Sequence, residues 1–250
     1  MEVINNKTER PLAYYRELFA NANPDELGKK GIASYITPLK KFTINVMGRT
    51  YFVSWPEAEF ITTPIFMEAS TNASAEESAE SKTDARATPS VTARRAREKA
   101  QANEAGTLFM PEISPELEIL LLRILLEGTP LPAANKFLAY QELPRGAAYL
   151  PAFNRRCTLR IAKQFSSASH LEQACLALGA ITIKSKADAA CQFEFLPNVF
   201  VQFLYWEADD EFPAQAQVLF SDNVTAFFTS EDMVVITEII IRALSLGYVI

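Results

Sequence analysis

Apolar residues recur every three to four positions in some stretches of this chain and every second position in others. Arg10–Ala20 carries Leu12, Tyr15, Leu18 and Phe19 on one side of a predicted helix. Asn23-Pro24-Asp25-Glu26-Leu27-Gly28 reads as a capping Asn, a proline at the first helical position and a short helical turn closed by glycine. Phe42–Val46 and Tyr51–Trp55 alternate about Met47-Gly48-Arg49-Thr50, which predicts a β-hairpin.

Ser114-Pro115-Glu116 repeats the helix-start signal, and the helix runs to Glu127 with Gly128 as its stop. Leu117, Ile119, Leu120, Leu121, Leu122, Ile124, Leu125 and Leu126 make it apolar nearly all round, so it is predicted to be buried. Phe137–Gly146 reads as a loop region and Phe153–Phe165 as a second helix. A third has Ser169 and Glu172 at capping-box spacing and ends at Gly179. Ala180–Lys184, Gln192–Leu196, Val199–Trp206 and Val218–Phe220 read as strands, with Pro197 as a break. The last helix opens at Thr229-Ser230-Glu231-Asp232, where acids complement the helix dipole, and stops at Gly247. Segregated rather than alternating elements predict the α+β class. The N-terminal helices and hairpin (1–67) are expected to pack as one domain with a mixed helix and antiparallel-sheet unit (108–250).

Between these parts, 68–107 is nearly all Ala, Ser, Thr, Glu, Lys and Arg and lacks aromatics. Such a stretch buries too little apolar surface to offset its ordering entropy, so it is expected to be disordered or loosely helical. Its acids (Glu68, Glu76, Glu77, Glu80, Asp84) precede its bases (Arg86, Arg94, Arg95, Arg97, Lys99). The basic half reads either as a docking segment for an acidic partner or as part of a solvated linker.

Among 250 residues, 49% are hydrophobic and 22% charged, enough for a sizeable core. The net charge of −6 argues against a nucleic-acid surface. No apolar run is long enough to span a bilayer, and the start lacks a signal-peptide pattern, so a cytoplasmic protein without membrane contact is expected. Cys157, Cys175 and Cys191 have neither disulfide-framework nor zinc spacing and read as reduced, buried thiols. His170 is the lone histidine and reads as a residue in a helix's first turn. G-x-G-x-x-G, G-x-x-x-x-G-K-[ST] and H-E-x-x-H are all missing, so no catalytic motif and no cofactor is identified.

The candidate chemistry lies in Tyr205-Trp206-Glu207-Ala208-Asp209-Asp210-Glu211-Phe212-Pro213, where four carboxylates crowd into five positions. Carboxylates that close repel one another and must be solvated, paired or lent to a ligand. Asp209, Asp210 and Glu211 are the candidate oxygen ligands for a hard cation, which Asp222 or Glu231 would join. The alternative is a solvated turn whose carboxylates cap backbone amides and pair with Arg155, Arg156 or Arg160. A second candidate is Glu142 with Arg145, Tyr149 and Arg156, either a polar pocket with Glu142 as general acid or base or an ion network fastening the loop. Phe193, Phe195, Phe200, Phe203, Tyr205 and Trp206 read as core packing or as the lining of a cofactor pocket.

Phe137-Leu138-Ala139-Tyr140-Gln141-Glu142-Leu143-Pro144-Arg145-Gly146, followed by Tyr149 and Phe153, resembles the F-x-E-L-P-x-G-x-x-Y-x-x-x-F stretch of a known family, with one residue extra after Phe. Trp206–Pro213, then Val218–Asp222 and Glu231-Asp232, resembles its W-x-x-D-x-E-F-P … L-F-D … E-D stretch. Asn23–Gly31 and the hairpin are also similar. The family is the prokaryotic domain of unknown function thirty-seven eighty-six, common in anaerobes. Ser221 interrupts the usual Leu-Phe-Asp, and the cysteine-rich iron–sulfur segment of some resembling chains is missing. The missing catalytic motifs and the company the resembling family keeps point to a non-catalytic accessory protein of anaerobic redox or cofactor metabolism, with Glu142, Arg156, Trp206, Asp209, Glu211 and Asp222 as the candidate residues that bind a protein partner or small ligand. The alternative is a metal-dependent enzyme using the carboxylates of 207–211.

Overall fold

A computed structural model describes residues 9–62, 113–132 and 136–246; the 68–107 segment and the helix stop expected at Gly247 lie outside them. The fold is α+β, with two antiparallel sheets. At the N-terminal side, helix α1 (Glu9–Asn21) buries Phe19, while Leu12 and Tyr15 pack partly buried against the core and Leu18 is exposed. The Asn23 side chain accepts from Asp25 N at 3.0 Å and Pro24 follows it, so α2 (Pro24–Lys29) starts where cap and proline direct. Gly28 lies inside α2 instead of closing it; the left-handed residue after the helix is Gly31, at φ 77°.

Strands β1 (Ser34–Ile36), β2 (Lys41–Val46), β3 (Arg49–Ser54) and β4 (Phe60–Thr62) follow one another in the first sheet. The hairpin turn is tighter than the expected four residues. Met47 and Gly48 both have positive φ (49° and 77°), and Val46 pairs directly with Arg49. Such a two-residue turn matches the twist of its strands.

Helix α3 (Pro115–Glu127) begins at Ser114, whose hydroxyl accepts from Leu117 N at 3.3 Å, and it buries Leu117, Leu120, Leu121, Leu122, Ile124 and Leu125. The second sheet has the order β5-β9-β8-β7-β6, from β5 (Phe137–Ala139), β6 (Ile181–Thr182), β7 (Ala189–Leu196), β8 (Val199–Trp206) and β9 (Gln215–Ser221). Phe137–Ala139 is therefore an edge strand, not loop, because it finds Leu219–Ser221 of β9 to pair with.

The expected Phe153–Phe165 helix starts earlier. It comprises α4 (Gly146–Phe153), a π-helical turn (Asn154–Thr158) and α5 (Leu159–Gln164), with Pro151 inside α4. A Cβ on Gly146 would lie 1.8 Å from Tyr140 O, so glycine lets the helix start press against the Tyr140–Glu142 turn. The Tyr140 ring then stacks on Phe153 at 4.0 Å, and its hydroxyl donates to Ser230 O at 3.0 Å.

Helix α6 (Ala168–Ala177) is capped by Ser167, two residues before the expected Ser169; its hydroxyl accepts from His170 N at 3.2 Å. Gly179, at φ 83°, follows that helix. Helix α7 (Ser230–Leu246) completes the described chain. The hydrophobic core takes side chains from both sheets and from α1, α3 and α7. Met47 N donates to Phe195 O at 3.0 Å and Trp55 Nε1 to Phe19 O at 3.2 Å, tying the first sheet to the second and to α1.

Candidate functional site: the acidic hairpin tip

Strands β8 and β9 pair through Trp206 and Gln215, and the acidic run connects them. Trp206 is half-buried at the root of this hairpin. The four carboxylates divide into two that accept backbone hydrogen bonds, Glu207 and Asp209, and two, Asp210 and Glu211, that accept none among the described residues. Glu207 Oε1 accepts from Ala168 N at 2.5 Å, placing a negative charge at the N-terminus of α6 where the helix dipole favours it. The Glu207 amide in turn donates to Asp188 Oδ2 at 2.8 Å. Asp209 Oδ1 accepts from Glu211 N at 2.9 Å and Phe212 N at 2.7 Å, while Asp209 N donates to Phe212 O at 2.9 Å. Those two backbone donors hold the Asp209 carboxyl below its ordinary pKa, because they favour its charged form. Asp210 and Glu211 are exposed, and Phe212 beside them is 58% exposed.

The six residues expected to form one binding site are not brought together. Asp222 follows Ser221 at the far end of β9, seven positions from Gln215, which at strand rise is roughly 20 Å from the acidic turn. Its amide donates to Lys136 O at 3.0 Å. Glu142 is exposed, and its Oε2 accepts from Ala139 N at 2.7 Å, capping its own helical turn. Arg156 pairs with neither Glu142 nor the acidic turn. Its Nε and Nη2 donate to Glu238 Oε1 and Oε2 at 2.9 and 2.6 Å, a bidentate pair that fastens the π turn to α7 and raises the Arg156 pKa. Among the described residues, no three His, Cys, Asp or Glu side chains are grouped so as to hold a metal ion, the set Asp209, Asp210 and Glu211 included.

The aromatic series behaves as core: Phe193, Phe195, Phe203 and Tyr205 are buried, and the Tyr205 hydroxyl donates to Phe165 O at 2.8 Å. His170 is half-buried in the first turn of α6, its ring edge-on to Phe165 at 5.3 Å. All three cysteines are buried and free, and burial pushes the Cys157 thiol up to about 12.

Sequence reading missed two polar clusters. Arg123 Nη1 donates to Asp232 Oδ1 at 2.6 Å in a largely buried pair, with the guanidinium 5.7 Å from the Tyr15 ring centre. The available signals were a lone arginine in the apolar run of α3 and an acid three positions after Thr229. Ser221, the departure from the family's pattern, is buried. Its hydroxyl accepts from Phe200 N at 3.0 Å and donates to Asn223 Oδ1 at 2.7 Å, and Asn223 Nδ2 reaches Leu131 O at 2.8 Å and Asn198 O at 2.9 Å. Beside this knot, at the opposite end of β8 from the acidic tip, lies a groove of about 290 Å³ lined by residues including Ile32, Pro130, Leu131, Pro197, Asn198 and Phe227. Among the described residues, none of its lining side chains titrates.

Among the described residues, no helix is long and apolar enough to cross a membrane. No curated protein and no solved structure matches the chain. One protein family does, over residues 90–243, a span that takes in both the Phe137–Phe153 and the Trp206–Asp232 motifs but begins after the N-terminal hairpin. The chain belongs to that family, described as Domain of unknown function (DUF3786).

Proposed function

We propose that this protein is a non-catalytic binding or accessory protein whose acidic hairpin tip docks a cationic surface of a protein partner. The observation that carries this reading is the division of labour within the turn. Asp209 is committed to the backbone of the tip, so Asp210, Glu211 and Phe212 are exposed on a preorganised loop. A loop already held in one conformation loses little entropy on binding, and an exposed aromatic ringed by charge is the composition of a docking anchor. Trp206 supports the root of the hairpin, while Glu142, Arg156 and Asp222 serve the scaffold in this reading. A cytoplasmic role beside anaerobic redox or cofactor metabolism follows the company kept by resembling chains and rests on that resemblance alone.

The test is affinity capture with wild-type protein and with Asp210→Asn/Glu211→Gln/Phe212→Ala, which leaves Asp209 in place. Partner recovery is expected to fall about tenfold, the equivalent of about 1.4 kcal/mol, with an unchanged circular dichroism spectrum. Equal recovery from both proteins would remove the tip as the docking surface.

A further inference from the structure

The continuous helix from Gly146 to Gln164 contains Arg155, Arg156, Arg160 and Lys163 and no Asp or Glu, in a chain whose net charge is −6. Arg156 is held by Glu238. Arg155, Arg160 and Lys163 are exposed, and among the described residues they make no ion pair within 4.0 Å. Leu159, 51% exposed, stands among them.

The π turn explains why these residues form a stripe. Phe153, Cys157 and Ile161 are buried at four-residue spacing, which on a regular α-helix drifts by about 40° per step. The wider turn at Asn154–Thr158 absorbs that drift and keeps the inward row in line. The outward residues Arg155, Leu159 and Lys163 share the same spacing, so they too line up, with Arg160 alongside. At the end of this stripe the chain meets the root of the acidic hairpin: the Tyr205 hydroxyl donates to Phe165 O at 2.8 Å and Glu207 accepts from Ala168 N at 2.5 Å. The basic stripe, with Leu159 at its centre, thus ends where the chain is tied to the root of the hairpin that carries the acidic tip and Phe212.

Adjacent patches of opposite charge are complementary to themselves under a two-fold rotation, in which contact i–j is repeated as j–i. We infer that this surface pairs two copies of the chain, the tip of each (Asp210, Glu211, Phe212) resting on the other's Arg155–Lys163 stripe, with Phe212 against Leu159. The inference rests on the reading of the tip as a docking surface and names its partner as a second copy. A nucleic acid or an anionic membrane fits less well, because the carboxylates beside the stripe repel a polyanion.

Sedimentation velocity on the full chain tests this. At about 0.01 M ionic strength, where screening extends over roughly 30 Å, twice the 27.9 kDa chain mass is expected; at about 1 M, where it falls to roughly 3 Å, the monomer mass is expected. Arg155→Glu/Arg160→Glu/Lys163→Glu alone sets acid against acid, and Asp210→Lys/Glu211→Lys alone sets base against base, so each should be monomeric at low salt. Mixed together, the two variants restore opposite charges at both contacts and should form a heterodimer, which unfolded proteins could not do. A monomeric wild-type chain at low salt, or a mixture that stays monomeric while wild type dimerises, overturns the inference. If the wild type is monomeric and tip substitution still lowers partner recovery, only the dimer falls. If the tip affects neither measurement, the docking reading falls as well.

Discussion

Replacing Asp232 by alanine tests the buried connection between α3 and α7. The Asp232 side chain is 8% exposed and that of its partner Arg123 is 22% exposed, and they meet at 2.6 Å. The other carboxylate oxygen accepts from Thr229 N at 2.8 Å and from the Thr229 hydroxyl at 2.7 Å, so Asp232 also organises the start of α7. Arg123 Nε is already buried without a hydrogen-bond partner. Removing one member of a buried pair costs about 3–5 kcal/mol, since the other charge is left uncompensated. Here Glu127, at 3.9 Å and largely exposed, takes over part of the interaction, which reduces the charge component to about 2–3 kcal/mol. Loss of the cap adds about 1 kcal/mol. The expected destabilisation is about 3–4 kcal/mol, equivalent to a fall in Tm of about 10 °C for a chain of this size. Urea unfolding with an unchanged m-value measures it. Adding Arg123→Met to Asp232→Ala should recover about 1–2 kcal/mol, because no buried charge then lacks a partner. Glu238→Ala, which breaks the more exposed pair with Arg156, is expected to cost less than about 1 kcal/mol. A loss at Asp232 no larger than that at Glu238 would refute the argument that burial sets the value of this pair.

Asp209→Ala should leave the core intact but speed amide exchange at Glu211 and Phe212, and Asp209→Asn, which keeps an acceptor oxygen but loses the charge, should speed it less; equal exchange in all three proteins would mean the side chain does not hold the tip. Because the folded-state pKa of Asp209 is depressed, the stabilisation is present above its unfolded value and is lost as the pH falls through the folded one, so the same amides should exchange faster in acid than intrinsic rates require. Gly146→Ala, which forces a Cβ to within 1.8 Å of Tyr140 O, should cost about 3 kcal/mol or abolish folding, and a near-neutral result in urea unfolding would contradict the described contact. Cys157 should resist thiol reagents at pH 8 until denaturant is added. With its pKa near 12 against an ordinary 9.0, only the unfolded chain ionises between those values, so this group's contribution to stability should fall as the pH rises through that window.

Local signals in the sequence located those parts of the fold that are governed by backbone chemistry. Asn23 before Pro24, and Ser114 before Pro115, mark helix starts because a side-chain oxygen satisfies a free N–H and proline needs none. Alternation in Phe42–Val46 and Tyr51–Trp55 marked strands, the second of which ends at Ser54, because side chains leave a sheet on alternate faces. The family was also legible, in the Trp206–Asp232 and Phe137–Phe153 motifs. Some misses were local, such as the cap at Ser167 instead of Ser169 and the two-residue turn at Met47-Gly48, but at β5 the deciding contact was distant in the chain. Phe137–Ala139 became a strand because β9, some eighty positions later, offers an edge. The helix starting at Gly146 contains Pro151 and is fastened by Tyr140, which stacks on Phe153 and donates to Ser230 O.

The same distinction applies to the acidic run. Composition and spacing alone determined that Glu207–Glu211 is crowded charge at a turn between strands. Only the tertiary structure decided that Glu207 serves the N-terminus of α6, that Asp209 serves its own turn, and that Asp210, Glu211 and Phe212 remain exposed. It also separated Asp222 from the turn by the length of β9 and assigned Arg156 to Glu238. The physical reason is range. Caps, turns and periodicity depend on neighbours within a few residues, whereas the pairing of a charge depends on which distant segment the hydrophobic core brings beside it.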